Sequence, residues 1–266
     1  MCTTCGCGVT DEISIKLPGE NLSGAVKNMQ IEISNHHEHE HGHHHDHSHE
    51  KTVIELEQDI LHANKMLAER NRGYFLAKNI FAINLVSSPG SGKTSLLEKT
   101  LSDLKNEIDF YVIEGDQQTM NDADRIDALK VPVVQINTGK ACHLDSDMVN
   151  KAILKLNPSQ DSIVMIENVG NLVCPAAFDL GENARAVIIS TTEGDDKPIK
   201  YPDMFADSDV CIINKIDLLP YVNFDVSKAK DYALRVNPKL IFFEISVTTG
   251  EGTDKWYEWL KSNVKK

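Results

Sequence analysis

The chain has 266 residues, 41% hydrophobic and 25% charged, with 27 Lys and Arg against 40 Asp and Glu for a formal charge of −13. That composition excludes a fibrous or wholly disordered chain, and so acidic a surface argues against nucleic acid or anionic membrane as the main partner. With no apolar run near the ~18 residues of a membrane span and no basic-then-apolar leader, the expectation is a cytoplasmic protein. Its six cysteines are then expected to be reduced and to serve metal or redox chemistry.

The chain opens with Cys2, Cys5 and Cys7 as C-x-x-C-x-C. Thiolates at this spacing chelate well. With the terminal amine they offer one nitrogen and three sulfurs, a set that favours square-planar Ni(II) or Cu(II); zinc or a redox thiol pair stays open on spacing alone. Residues 8–35, with Pro18, Gly19 and Gly24 and no sustained period, read as a mobile linker. Between His36 and His49, nine of fourteen positions are His (His36, His37, His39, His41, His43, His44, His45, His47, His49). That stretch builds no core, but its imidazoles, largely neutral at physiological pH, suit metal storage or buffering. An affinity tag is the bland alternative, set against by the internal position and the interleaved Glu, Asp, Gly and Ser. The expected layout is a metal motif at 1–7, a disordered metal-binding arm at 8–50 and a folded unit at 52–266.

From Thr52 a helix is expected, with Val53, Leu56, Ile60, Ala63 and Leu67 on the face that packs on the domain. Apolar runs follow at Phe81–Val86, Phe110–Ile113, Val131–Ile136, Ile163–Ile166, Ala186–Ile189, Val210–Ile213 and Leu240–Ile245. They lack alternation, as strands buried on both faces do. Amphipathic segments such as Ser95–Lys105 and Lys228–Val236 lie between them. The fold class is α/β, a mostly parallel sheet with helices on both faces.

The first run leads into Ser87-Ser88-Pro89-Gly90-Ser91-Gly92-Lys93-Thr94-Ser95. Such a loop wraps phosphates with backbone N–H groups, adds the dipole of the following helix, and supplies Lys93 to the β- and γ-phosphates and Thr94 to Mg²⁺. The usual pattern has Gly where this chain has Ser87. Asn214-Lys215-Ile216-Asp217 follows the sixth run. There Asp217 suits the guanine N1–H and 2-amino donors that adenine lacks, which makes selectivity large, and the stem of Lys215 can lie along the base. Ser246, Val247 and Thr248 are placed to close over it. Glu167 and Asp116, at the ends of two runs, are candidate Mg²⁺ groups, and the Gly170 N–H is a candidate γ-phosphate sensor. Lys93, Asp116, Glu167 and Gly170 form the expected catalytic set. Asp124 and Arg125 face the phosphates or belong to a solvated helix face. Asn171 stands where many GTPases place a water-orienting Gln, so intrinsic hydrolysis is expected to be slow. Cys142, His143 and Cys174 form a second metal cluster; three ligands leave a position open, or a dimer completes the site. Cys211, inside a strand, reads as a core thiol.

Taken together, Ser88–Thr94, Glu114-Gly115-Asp116, Cys142-His143, Glu167–Pro175 and Asn214–Asp217 resemble the HypB family of nickel-incorporation GTPases over residues 52–266 and 1–7. The resemblance implies a P-loop GTPase of the dimerising class that uses GTP and Mg²⁺. It also implies nickel or zinc at Cys142, His143 and Cys174 near a GTP-dependent homodimer interface, and a nickel site at Cys2, Cys5 and Cys7. Implied partners are a companion zinc-containing metallochaperone and the large-subunit precursor of a [NiFe] hydrogenase. Two other functions compete. One is nickel sequestration by the arm with an incidental G domain; the other is a chaperone for another nickel enzyme such as urease.

Overall fold

The computed structural model describes residues 13–18, 53–117 and 121–264. The Cys2–Cys5–Cys7 motif and the histidine run lie outside the described residues. One eight-stranded sheet organises the domain. Its strands are β1 (Ser14–Lys16), β2 (Phe81–Ser87), β3 (Phe110–Asp116), β4 (Val133–Asn137), β5 (Ile163–Glu167), β6 (Ala184–Ser190), β7 (Val210–Asn214) and β8 (Ile241–Ile245). Their order is β1-β4-β3-β5-β2-β6-β7-β8. The ladders joining β2 to β8 are all parallel, and β1 adds an antiparallel edge on β4.

Because both faces of the sheet are covered, each central strand is apolar on both sides. Ile83, Leu85, Val112 and Met165 meet Leu97 and Leu101 of α2 (Lys93–Leu104), Ile126 of α3 (Asn121–Asp127) and Trp256 of α8 (Thr253–Val264). On the other face Ala82, Ile113 and Val134 meet Phe75 of α1 (Val53–Ala77) and Val149 and Ile153 of α4 (Ser146–Leu156). Farther along that face Val187 and Ile213 meet Phe205 of α6 (Pro202–Ala206) and Ala233 of α7 (Val226–Val236), just after the short α5 (Lys197–Lys200). The parallel arrangement gathers the loops that leave the strands at one end of the sheet, where α/β domains bind ligands.

All seven apolar runs became strands, to within three residues at each end. Two readings need correction. The helix at 53–77 buries Asn64, Ala68, Asn71 and Phe75, while Ile60 and Leu67 are only half-buried and Ala63 is exposed. The buried stripe is rotated from the apolar one because two asparagines on it are fully engaged. Asn71 Nδ2 donates to Ser146 O and Leu180 O at 2.9 and 3.0 Å and its Oδ1 accepts from Asn150; Asn64 joins Ser146 N to Asp179 O. The second correction is β1, inside the segment read as a linker. It pairs Ser14 with Asn137, Ile15 with Ile136 and Lys16 with Gln135, and Lys155 Nζ donates to Ile15 O. Three residues are too short for a period to register. Among the described residues no helix is long and apolar enough to cross a membrane.

Candidate functional site

The loop between β2 and α2 turns through Gly90 at φ +78° and Gly92 at φ +92°. A Cβ on Gly92 would meet Asn214 Nδ2 at 2.4 Å, so glycine is required there on both conformational and steric grounds. Ser87 is buried as the last residue of β2 in ordinary strand conformation, so a glycine is not needed at that position. Lys93 Nζ donates to Glu167 Oε1 at 3.0 Å and to Asn168 O at 2.5 Å, and Thr94 Oγ1 donates to the same Glu167 oxygen at 2.7 Å. Gly170 packs against Pro89. Ser87–Ser95, Arg125, Gly170 and Lys215 line a cleft of about 340 Å³. Larger clefts lie elsewhere on the surface, lined for example by Leu61, Asp179 and Asp209; they lack a phosphate-binding loop.

The residues expected to read the base stand beside this loop. Asn214 Nδ2 donates to Ser91 O at 2.9 Å and Lys215 Nζ to Gly90 O at 2.7 Å. Ser246 Oγ donates to Asp217 Oδ1 at 2.6 Å, and Val247 packs on the core close by. The chain reversal that aims Ser246 at Asp217 needs Gly252, at φ +74°, because a Cβ there would strike Glu244 O.

A carboxyl group whose part was missed in the sequence stands beside the candidate Mg²⁺ group Glu167. Glu114 is the register partner of Glu167 and is equally buried. Burial, reinforced by the Glu167 charge, holds its carboxyl well above the usual range, and it shares a hydrogen bond with Glu167. That shift holds Glu114 toward its protonated form, in which it can donate to Glu167. The second oxygens of both groups are buried without a hydrogen-bond partner. The orphaned second oxygen of Glu167, on the carboxylate that accepts from the Thr94 hydroxyl, is the chemistry that fits Mg²⁺. The structure brings Lys93, Thr94 and Glu167 together. Asp116 stands two residues beyond Glu114 at the end of β3, next to residues 118–120, which lie outside the described residues. Arg125 lines the cleft but binds Glu98 and Asp122, at 2.5 and 3.1 Å; Asp124 is exposed. Glu193, also unforeseen, accepts from Ser88 Oγ at 2.6 Å.

Cys142 and His143 lie on the loop between β4 and α4, and Cys174 begins the 3-10 turn Cys174–Ala177. Their candidate ligand atoms all lie within 4.8 Å of one another. His143 is buried and stacked on Phe178 with ring centroids 3.8 Å apart. Burial lowers its pKa, against the charge of Asp145, so the imidazole is neutral, the form a metal needs. Both thiols are half-exposed, whereas Cys211 is fully buried with its pKa pushed up to about 12.

Asn168 joins the two sites. Its side-chain oxygen accepts from Leu144 N at 3.1 Å and from Val169 N at 3.0 Å, and its Nδ2 donates to Asn84 Oδ1. Asn84 continues to Glu182, which pairs with Arg185 inside the protein. One residue thus accepts the loop lysine on its carbonyl and holds the backbone next to His143 with its side chain; Cys174 follows six residues later. In the sequence Asn168 was only part of a motif, and a buried asparagine's partners are not legible from spacing.

A parallel α/β domain carrying a phosphate loop after its central strand and an NKxD loop two strands away is a P-loop nucleotide-binding domain, and residues 81–244 match the CobW/HypB/UreG nucleotide-binding domain. The hydrogenase maturation factor HypB of Escherichia coli K12 is 53% identical over 213 residues, 80% of this chain and 73% of that protein. A crystal structure of HypB from Archaeoglobus fulgidus superposes with a TM-score of 0.72 at 38% identity, covering 76% of this chain and 99% of that one. HypB from Helicobacter pylori in complex with nickel gives 0.71 at 38% identity, covering 76% and 95%. The chain belongs to the HypB family of hydrogenase maturation factors.

Proposed function

We propose that this protein is a cytoplasmic, GTP-hydrolysing nickel metallochaperone that helps insert Ni(II) into the large-subunit precursor of a [NiFe] hydrogenase, together with a companion zinc-containing metallochaperone. Gly90, Ser91, Gly92, Lys93, Thr94 and Ser95 hold the phosphates, and Thr94, Glu167 and Asp116 hold Mg²⁺, which neutralises charge developing on the transferred phosphoryl group. Asn214, Lys215, Asp217, Ser246 and Val247 hold guanine. Cys142, His143 and Cys174 take nickel or zinc, Cys2, Cys5 and Cys7 take nickel, and the histidine run buffers it. Binding of GTP favours a homodimer; Val173, beside Cys174, is 62% exposed and is the kind of apolar residue a second copy covers.

The observation that carries this reading is the Lys93–Asn168–Leu144 chain of contacts. A γ-phosphate competes for Lys93 Nζ, which now rests on Asn168 O and Glu167. Release of Asn168 O shifts the residue that fixes the loop of His143 and begins the segment leading to Cys174. That is a two-state element both sites bias, so the coupling is reciprocal. The test is nickel and zinc affinity of a full chain carrying Cys2→Ala, Cys5→Ala and Cys7→Ala, with GDP–Mg²⁺ and with a non-hydrolysable GTP analogue, while the dimer fraction is followed. Affinities that differ at least five-fold, a difference lost in Cys142→Ala, support the reading; equal affinities sink the coupling.

A further inference from the structure

The loop that follows β6 reaches both halves of the nucleotide cleft. Thr191 N donates to Asn214 O at 3.1 Å and Thr191 Oγ1 to Lys215 O at 2.7 Å. Two residues on, Glu193 Oε2 accepts from Ser88 Oγ at 2.6 Å, the length of an O–H···O⁻ bond. The turn is fixed on both sides: Glu193 N donates to Ser190 O at 2.9 Å, and Lys228 of α7 pairs with Asp195 at 3.1 Å. Lys197 Nζ lies 3.2 Å from the same Glu193 oxygen, so the carboxylate has its own countercharge and does not repel a phosphate. The Glu193 side chain is 14% exposed, and its other oxygen, Oε1, is buried without a hydrogen-bond partner. Such groups are rare in folded proteins, and function is one of the reasons they persist.

The two halves of the phosphate loop are held differently. The second half, Gly90 to Thr94, hangs on the base loop: Ser91 O accepts from Asn214 and Gly90 O from Lys215. In loops of this kind those residues cradle the α- and β-phosphates, which GDP and GTP share. The first half is held from outside by Glu193. Ser88 is buried, its carbonyl accepts from Ser87 Oγ at 2.9 Å and from Ser91 N at 3.4 Å, and its hydroxyl goes to Glu193. Pro89 follows, and a Cβ on Gly170 would meet Pro89 Cα at 3.4 Å. The chain of contacts from Glu193 through Ser88 and Pro89 therefore ends on the residue expected to meet the γ-phosphate, the group that GDP lacks.

We propose that Glu193 is a positioning residue for the γ-phosphate: it holds Ser88 and Pro89 where they set Gly170, and through them it separates GTP from GDP. The proposal rests on reading this cleft as a guanine-nucleotide site with Gly170 as its γ-phosphate sensor. Ser88 lines the cleft and Glu193 stands behind it, so Glu193 acts through the serine. Without the carboxylate the Ser88 hydroxyl loses its acceptor, and Pro89 no longer fixes Gly170. The N–H that meets the γ-phosphate is then misplaced, and a misplacement of about 1 Å can cost of order 100-fold in rate.

The test is the affinity of the full chain for GDP and for a non-hydrolysable GTP analogue, both with Mg²⁺, together with kcat and KM for GTP. Glu193→Ala is expected to weaken the analogue at least ten-fold and GDP less than three-fold, with kcat at saturating GTP down at least ten-fold. Glu193→Gln keeps an oxygen that can accept from Ser88 Oγ and should stay within three-fold of the wild type in all of these. Ser88→Ala should reproduce the loss, and Ser88→Ala/Glu193→Ala should add nothing to either single change. Equal weakening of GDP and analogue would mean that Glu193 only holds the loop together, and overturns the proposal. So does a Glu193→Gln variant as weak as Glu193→Ala, or additivity in the double variant. If Glu193→Ala does not fold, Ser88→Ala, which removes one oxygen, carries the same comparison of analogue against GDP. A wild-type chain that binds neither nucleotide sinks the reading of the cleft and the proposal together. One that binds both, with a ratio unmoved in Glu193→Ala and Ser88→Ala, leaves that reading standing and sinks the proposal alone.

Discussion

The side of the domain proposed to bind guanine nucleotide and the side proposed to bind metal are built on opposite plans. On the nucleotide side the reading groups themselves are restrained before any ligand arrives: Lys215 on Gly90 O, Asn214 on Ser91 O, Asp217 on Ser246, Lys93 on Glu167 and Asn168. On the metal side the restraint lies behind the site, in a buried amide network of Asn64, Asn71, Asn84, Asn150 and Asn168, while two of the three donors are half-exposed. A nucleotide site of the first kind is selective and always ready. A metal site of the second kind can change its geometry when its backing shifts, which suits the proposed role of a carrier.

The largest expected effect breaks the nucleotide half. Lys93→Ala should slow GTP hydrolysis at least 100-fold, because it removes charge stabilisation aimed at the transferred phosphoryl group; phosphate release under saturating GTP checks it. Next, Asp217→Ala should collapse preference for GTP over ATP by about 100-fold or more, since an unpaired base donor is what enforces selectivity; competition between labelled nucleotides reads it. On the metal side, Asn71→Ala leaves Ser146 O, Leu180 O and Asn150 Nδ2 without their partner. The cost should be about 2–3 kcal/mol, and Tm should fall by about 4–10 °C in calorimetry. An unchanged Tm would mean that this amide network is not the backing of the site. The smallest effect is chemical. In a chain lacking Cys2, Cys5 and Cys7, a maleimide at pH 8 should label Cys142 and Cys174 but not Cys211, whose thiol is fully buried with its pKa pushed up. Labelling of all three without denaturant would contradict the buried placement of β7.

The same division explains what could be read in advance. Lys93, Thr94, Asn214 and Asp217 stand in short contiguous motifs that follow apolar runs, so the strands and the loops that carry these residues were legible together. Seven strands were legible because a sheet covered on both faces demands unbroken apolar runs. The backing of the metal site was not. Asn64 and Asn71 break the apolar period of α1 at the very positions that are buried, and the partners that justify them lie 75 to 115 residues away. Glu114 was visible as a residue but not as a proton-holding neighbour of Glu167, since that depends on strand register. The strand β1 is three residues long, and its partner Ile136 is 121 positions distant.

The most direct measurement of the central claim is the linkage itself, taken in both directions on the same protein. Nickel affinity is measured with and without the GTP analogue, and analogue affinity with and without nickel, in the wild-type chain and in Asn168→Ala. The expected result is the same factor in both directions, at least five-fold in the wild type, shrinking toward one when the Asn168 side chain is removed. A factor of one in the wild type, or a factor that survives intact in Asn168→Ala, would contradict the role given to Asn168 as the joint between the two sites.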